Sequence, residues 1–203
     1  IAVSLGFFIV MYKLVPLLAA SQLQAWLPAL DNQVGFSLAE GVIRIAIFLS
    51  FLLALSQMKD IRRVFEYHGA EHKVVYNYKS GQDLSVENAQ RFTTLHPRCG
   101  TSFLMVVMLV AIAVYALVPL EGFVGQFAAR IALLPLIAGL SFEIIRYTAK
   151  RQRGMFMLMA RPGLWLQRVT TKQPDDGQVE VALHALKTAF EFERRAGRDP
   201  VVA

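Results

Sequence analysis

Four long apolar runs alternate with polar stretches along this chain, at about residues 1–20, 37–55, 102–120 and 127–147. A helix of roughly 20 apolar residues is long enough to cross the hydrocarbon core of a bilayer. The pattern therefore predicts an all-α membrane protein with about four transmembrane helices. It divides the chain into a two-span hairpin at 1–56, a polar loop at 57–100, a second two-span hairpin at 101–147 and a tail at 148–203.

The basic residues are unevenly distributed among the polar stretches, and this indicates the topology. The short loops at 21–36 and 121–126 contain no Lys or Arg. The 57–100 loop and the start of the tail hold most of the basic residues: Lys59, Arg62, Arg63, Lys73, Lys79, Arg91 and Arg98, then Arg146, Lys150, Arg151 and Arg153. Cytoplasmic loops carry such an excess. We therefore expect the loop, the tail and both chain termini to be cytoplasmic.

The composition agrees with a membrane protein and indicates which classes of partner to expect. Hydrophobic residues make up 55% of the 203 residues and charged residues only 18%, which is apolar for a soluble domain. The net charge is +6, but the basic residues flank the apolar runs and form no stripe with interleaved aromatics. We therefore expect contacts with the lipid bilayer and its anionic headgroups, and no nucleic acid partner. Because Cys99 is the one cysteine, no intrachain disulfide can form.

Two of the few charges within the predicted spans are spaced to pair. Glu40 and Arg44 are four residues apart, so on a helix they can form an ion pair that lowers the cost of placing them at membrane depth. A structural pair is the favoured interpretation, and a polar path through the helix bundle is the alternative.

The tail is predicted to contain two segments. Residues 154–169 combine apolar residues, a Trp, flanking Arg and a Pro-Gly break, as expected of a segment on the inner leaflet. Asp175 and Gln178 then have capping-box spacing before an amphipathic helix at 178–196. Its apolar stripe of Val179, Leu183, Leu186 and Phe190 needs something to pack on, so this helix is a candidate site for a protein partner.

The 57–100 loop also holds three of the four histidines, and two of them form the motif "YHGAEHK" at residues 67–73. On a helix, His68 and His72 share a face and Glu71 lies beside them. Imidazole, carboxylate and thiolate groups suit zinc, with iron or manganese as alternatives. The string also fits H-x-x-E-H, in which the two His bind zinc and the Glu is the general base.

A second motif, "HPRCG", places His96 and Cys99 near the N-terminus of the third predicted span. The positive end of that helix, with Arg98, would lower the pKa of the thiol and favour a thiolate. If the second and third spans pack side by side, the two motifs meet at the inner membrane surface.

Three interpretations of these motifs stay open. In the first, His68, His72 and His96 hold zinc with an open position and Glu71 activates water, which gives a hydrolase. In the second, Cys99 supplies a fourth ligand and the metal is structural. In the third, no metal binds and the histidines hydrogen-bond backbone groups.

Four strings in this chain resemble the DUF1385 family of YqhQ-like bacterial membrane proteins over roughly residues 37–190: "YHGAEHK", "LSVENAQRFTTLHPRCGTSF", "GLSFEIIRYTAK" and "PGLWLQRVTTKQPDDGQVEVALHALK". The resemblance implies a metal-dependent enzyme with His68, His72, His96 and Cys99 as candidate ligands, and Glu71 and Glu143 as candidate acid-base or supporting groups. The family's N-terminal Gly-rich element has no clear counterpart here and the chain opens without Met, so we expect it to begin part-way into a longer protein.

These observations together predict a multi-pass protein of the bacterial inner (cytoplasmic) membrane with a cytoplasmic zinc site. The leading hypothesis is a metal-dependent hydrolase with Glu71 as its catalytic residue. The alternative is a non-enzymatic membrane subunit or assembly factor that binds a partner through the loop and the 178–196 helix, any metal being structural.

Overall fold

The computed structural model describes residues 2–97, 99–118, 122–150 and 155–197, which form helices joined by turns and short loops. None of these described residues belongs to a strand. Ten α-helices are described: α1 (Ala2–Ile9), α2 (Val15–Gln24), α3 (Gln33–Ser56), α4 (Lys59–Ser80), α5 (Val86–Gln90), α6 (Gly100–Leu117), α7 (Phe123–Ala132), α8 (Leu134–Lys150), α9 (Met155–Thr170) and α10 (Asp176–Arg195). The predicted all-α class is confirmed.

The first apolar run forms one helical stretch over Ala2–Gln24 with a π-helical turn, Val10–Leu14, between α1 and α2. Pro16 follows this turn and has no N–H to donate to the carbonyl of Tyr12 four residues earlier. That carbonyl instead accepts a hydrogen bond from Nε of Arg44 at 3.1 Å. The proline therefore provides a backbone acceptor for a buried cation of α3.

Within the described part of the chain, three helical stretches are long and apolar enough to cross a membrane: Ala2–Gln24, Gln33–Ser56 and Gly100–Leu117. A fourth candidate consists of α7 and α8, which meet at a bend of 47°. Pro135 lies at the start of α8 and cannot donate to the carbonyl four residues earlier, which is a usual cause of such a kink. The expectation of about four spans is confirmed as three to four candidate spans, four if the bent pair is a single span.

The chain divides into two compact units, which we call the apolar unit (Ile1–Leu52 and Phe103–Pro162) and the polar unit (Leu53–Ser102 and Gly163–Ala203). Apolar side chains form buried clusters inside the apolar unit. One contains Leu17, Ala20 and Phe36, and another contains Ala111, Tyr115 and Ile137.

Local signals define the helices of the polar unit. Helix α4 is terminated after Ser80 by Gly81, whose φ of 74° is a left-handed conformation that glycine adopts without strain. Ser85 caps α5 by accepting a hydrogen bond from the backbone N–H of Asn88 at 3.2 Å. Asp175 and Gln178 form the predicted capping box at the start of α10.

The apolar stripe of α10 packs inside the polar unit. Val179 and Leu183 form a buried cluster with Ala70 and Val74 of α4 and Ala89 of α5. Full burial of a Val or Leu side chain stabilises the unit by about 1.5–3 kcal/mol. Most of the stripe that was expected to need a partner is therefore covered by α4 and α5.

The predicted Pro-Gly break at residues 162–163 is wrong, because α9 continues through both residues. The proline removes one backbone hydrogen bond from the helix. The glycine has a packing role within the polar unit, since a Cβ on Gly163 would lie 2.6 Å from Cβ of Ser102. Close contact with the start of α6 therefore requires glycine at this position.

Candidate metal centre

Helix α4 carries His68 and His72 on one face, with Gly69 between them. A Cβ on Gly69 would collide with the carbonyl oxygen of Lys172 and lie 3.3 Å from the Thr94 side chain. The segment around Lys172 crosses α4 at this point, and a hydrogen bond from the Lys172 N–H to the Phe65 carbonyl, at 2.9 Å, stabilises the crossing. A glycine that weakens an isolated helix is thus needed where other segments of the polar unit cross α4.

The structure brings His68, His72 and Cys99 into one group. Their potential ligand atoms all lie within 4.8 Å of one another, and Nε2 of His68 is 3.0 Å from Sγ of Cys99. His72 and Cys99 are buried and His68 is half-buried, so the group is largely shielded from solvent.

Backbone carbonyls orient both imidazoles. Nδ1 of His68 donates to the carbonyl of Thr170 at 2.8 Å, and Nδ1 of His72 donates to that of Thr94 at 2.5 Å. Histidines that bind metals typically donate their other ring N–H to a carbonyl or carboxylate in this way. The Nε2 atoms are left on the side of the rings that faces Cys99.

Cys99 immediately precedes α6 and is positioned to be a thiolate. Burial works to raise the pKa of the thiol, but hydrogen bonds from His68, His72 and Thr101 outweigh it and lower the pKa to about 5. The Thr101 contribution includes its backbone N–H, in the first turn of α6, as the sequence led us to expect. Arg98, the other group expected to help, lies outside the described residues.

The Cys99 thiolate in turn affects the pKa of His68. Burial works to lower the pKa of His68, but the hydrogen bond and charge of Cys99 and the carbonyl of Thr170 together raise it above its usual value. Between the two pKa values, the pair is a thiolate and an imidazolium. Two ligand-type groups are therefore held in contact and ionised.

His96 lies beside this group without joining it. Its ring centroid is 5.5 Å from that of His72, and its Nε2 is 3.5 Å from Nζ of Lys79. It is absent from the set whose ligand atoms lie within 4.8 Å. As a metal ligand, His96 stays a prediction.

Gln167 is a site residue that the sequence reasoning missed. It is fully buried, accepts from the His96 N–H, and donates to the His96 carbonyl and to Oγ of Ser102, each at 2.7 Å. It thereby fixes both ends of the segment that carries Cys99. The available signal was an amide that directly follows the apolar run "LWL" at residues 164–166, where a buried polar side chain needs hydrogen-bond partners.

The two candidate carboxylates lie elsewhere. Glu71 is exposed and lines a groove of about 540 Å³ between α4 and α10, together with Val74 and Glu193. Glu143 belongs to the apolar unit, where it is exposed and 3.4 Å from Nη1 of Arg146. Neither belongs to the group of His68, His72 and Cys99, so a catalytic role for Glu71 stays a prediction.

The donor set itself fits a transition metal. Two imidazole nitrogens and one thiolate are ligands that zinc prefers, and iron accepts them too. Three protein ligands leave one position of a tetrahedral ion for water or substrate.

Comparison with known proteins gives a family without an assigned activity. The family described as "Protein of unknown function (DUF1385)" matches residues 1–192. The chain is 41% identical over 155 residues to "Uncharacterized protein YqhQ" of Bacillus subtilis (strain 168), an alignment that covers 76% of this chain and 49% of that protein. The chain thus spans about half the length of this relative. No solved structure matches it. The chain belongs to the DUF1385 family.

Proposed function

We propose that this chain is a metal-dependent hydrolase of the bacterial inner membrane, with a zinc-type ion held by His68, His72 and Cys99. One observation carries the proposal: both imidazoles donate Nδ1–H to backbone carbonyls while their other faces converge on the Cys99 sulfur. The excess of Lys and Arg in the 57–100 stretch favours the cytoplasmic side for this site, with both chain termini on that side as well.

The cost of burying charge favours metal binding by His68, His72 and Cys99 over a role in packing alone. A largely buried thiolate–imidazolium pair carries a desolvation cost that apolar packing would avoid. A divalent ion would replace the proton between His68 and Cys99 and neutralise the thiolate. The two imidazoles would then need little reorientation, because the carbonyls of Thr170 and Thr94 and helix α4 already hold them.

Bound zinc with three protein ligands supplies a polarised water whose pKa is near 7, the usual nucleophile of zinc hydrolases. The chain's own contribution is to orient His68 and His72, to shield the thiolate, and to leave the fourth position free. Glu71, one helical turn from His68 and favourably coupled to it by charge, is the proposed proton acceptor at the groove side.

A non-enzymatic membrane subunit with a structural metal is the second candidate. The observation in its favour is that the three ligands and their supporting carbonyls join α4, the 94–101 segment and the end of α9. A metal there would stabilise the polar unit as a cross-link. The 178–196 helix gives this candidate less support than its sequence suggested, because its apolar stripe packs on α4.

Metal analysis of the purified full chain tests both candidates. Wild type should bind one equivalent of zinc, His72→Ala and Cys99→Ser should lose it, and His184→Ala should keep it, since His184 is an exposed histidine of the same unit. Absence of stoichiometric metal in wild type would overturn both. Cobalt-substituted protein then separates them: a visible spectrum that shifts on adding a small anion shows an exchangeable position, and an unresponsive spectrum indicates the structural site.

A further inference from the structure

The apolar unit buries a charged cluster that the proposed metal site does not use. Glu40, Arg44 and Arg130 are at most 4% exposed. Nε of Arg130 donates to both carboxylate oxygens of Glu40, at 2.8 and 2.9 Å, and Nη2 atoms of both arginines also bond to this carboxylate. One acid is therefore shared between two arginines.

The two arginines differ in whether every guanidinium nitrogen has a hydrogen-bond acceptor. Nη1 of Arg130 donates to the Gln126 carbonyl at 2.9 Å, so each of its nitrogens has an acceptor. Arg44 donates from Nε to the Tyr12 carbonyl and from Nη2 to Glu40, but its buried Nη1 has no acceptor among the residues that the structure describes. A buried donor without a partner costs free energy, and this one belongs to a charged group.

Lys13 adds a third cation to the cluster. Its Nζ donates to the hydroxyl of Tyr115 at 3.1 Å. The Tyr115 ring lies near all three cations, with its centroid 5.5 Å from Nζ of Lys13, 5.4 Å from Cζ of Arg44 and 5.1 Å from Cζ of Arg130. An aromatic face offsets such charges only in part, so among the described residues three cations are grouped with the carboxylate of Glu40.

A cavity of about 330 Å³ borders two of these cations, Lys13 and Arg44. Its other walls are mostly apolar and include Phe8, Phe48 and Leu104. Phe8 and Leu104 are each 46% exposed, so the apolar end of the cavity reaches the surface of the unit. The size and the pairing of few polar groups with apolar walls are typical of ligand pockets.

We propose that this cavity binds an anionic amphiphile, whose acidic headgroup accepts hydrogen bonds from Nη1 of Arg44 and from Lys13 while its hydrocarbon chain lies against Phe8, Phe48 and Leu104. Ionisable residues among membrane-spanning helices are costly and usually serve a function. Here they provide more positive than negative charge next to an apolar cavity. The carboxylate of a fatty acid and the phosphate of an acidic phospholipid share this chemistry.

The test uses the full chain reconstituted in phosphatidylcholine nanodiscs that contain a minor fraction of either oleic acid or phosphatidylglycerol. Lipid that stays with the protein through exchange into pure phosphatidylcholine is extracted and quantified by mass spectrometry. Retention of oleate alone identifies a fatty acid site, and retention of phosphatidylglycerol alone identifies a phospholipid site. Retention of neither above the phosphatidylcholine background overturns the proposal.

Two pairs of variants tie retention to the cavity. Arg44→Gln should weaken retention about tenfold, the usual effect of losing one charge-assisted hydrogen bond, while Arg146→Gln removes one exposed cation of the same unit and should leave it unchanged. Because Arg44→Gln also disturbs Glu40, Leu104→Trp fills the cavity without touching a charge. Leu109→Trp, on the same helix and 41% exposed, is its control. Equal retention by Leu104→Trp and Leu109→Trp would overturn the proposed location.

Discussion

Nε2 of His68 lies 3.0 Å from Sγ of Cys99, although 31 residues separate the two along the chain. The contact joins the middle of α4 to the residue just before α6, both within the polar unit. It depends on Gly69, which lets the 172 segment cross α4, and on Gln167, which holds the backbone on either side of Cys99.

This ionised pair makes metal affinity depend on pH. Binding must displace the proton of His68, whose pKa is raised, and at lower pH also protons on Cys99, whose pKa is about 5. Affinity should therefore be constant above the pKa of His68 and fall about tenfold per pH unit below it, more steeply below the pKa of Cys99. Titration against a chelator of known protonation measures this slope. Equal affinity across the range from about pH 5 to 8 would contradict a role for His68 as a ligand.

Gly69→Ala should destabilise the polar unit and weaken metal binding together. The added methyl group meets the Lys172 carbonyl, and overpacking of this kind costs typically about 1–3 kcal/mol. Thermal unfolding and metal content measure the two effects. Gly125→Ala is the matched control, since it has open space in α7 and should be neutral or slightly stabilising because alanine favours the helix. A Gly69→Ala protein as stable as wild type would show that the 172 segment can move aside.

Gln167→Ala should reduce stability by about 2–4 kcal/mol, because it leaves the buried N–H and carbonyl of His96 without partners. The loss of order should extend to Cys99, so metal affinity should fall although no ligand is changed. Chemical denaturation and metal titration test both statements. Gln173→Ala removes an exposed glutamine of the same unit and should change stability by less than about 0.5 kcal/mol. Loss of stability with unchanged metal affinity would mean that Gln167 does not position the site.

Sequence predicted the parts of this structure that depend on periodicity and composition. Apolar runs of helix length gave the candidate spans, and Asp175 with Gln178 gave the start of α10, because bilayer thickness and helix capping act locally. The bend between α7 and α8 had a local signal too, in Pro135. No local signal identified the neighbours of the α10 stripe, because an amphipathic pattern predicts that a helix packs but does not say against which element.

The candidate site was partly predictable for the same reason. His68 and His72 share a helix face by spacing alone, whereas their distance from Cys99 depends on how three segments fold together. The role of Gln167 depends on buried backbone groups 71 residues away. In the apolar unit, i,i+4 spacing predicted the ion pair between Glu40 and Arg44. The second ion pair, between Glu40 and Arg130, depends on tertiary packing and had no such signal.

Glu71→Gln and His96→Gln together decide how many protein ligands the site has. Because neither residue belongs to the group whose ligand atoms lie within 4.8 Å, both variants should retain one equivalent of zinc, with affinity within about tenfold of wild type. His72→Ala, from the same helix face as His68, should lose the metal completely. Equilibrium dialysis with zinc measures all three. If His96→Gln loses zinc as fully as His72→Ala, His96 is a fourth ligand, the position for water closes, and the structural interpretation replaces the hydrolase.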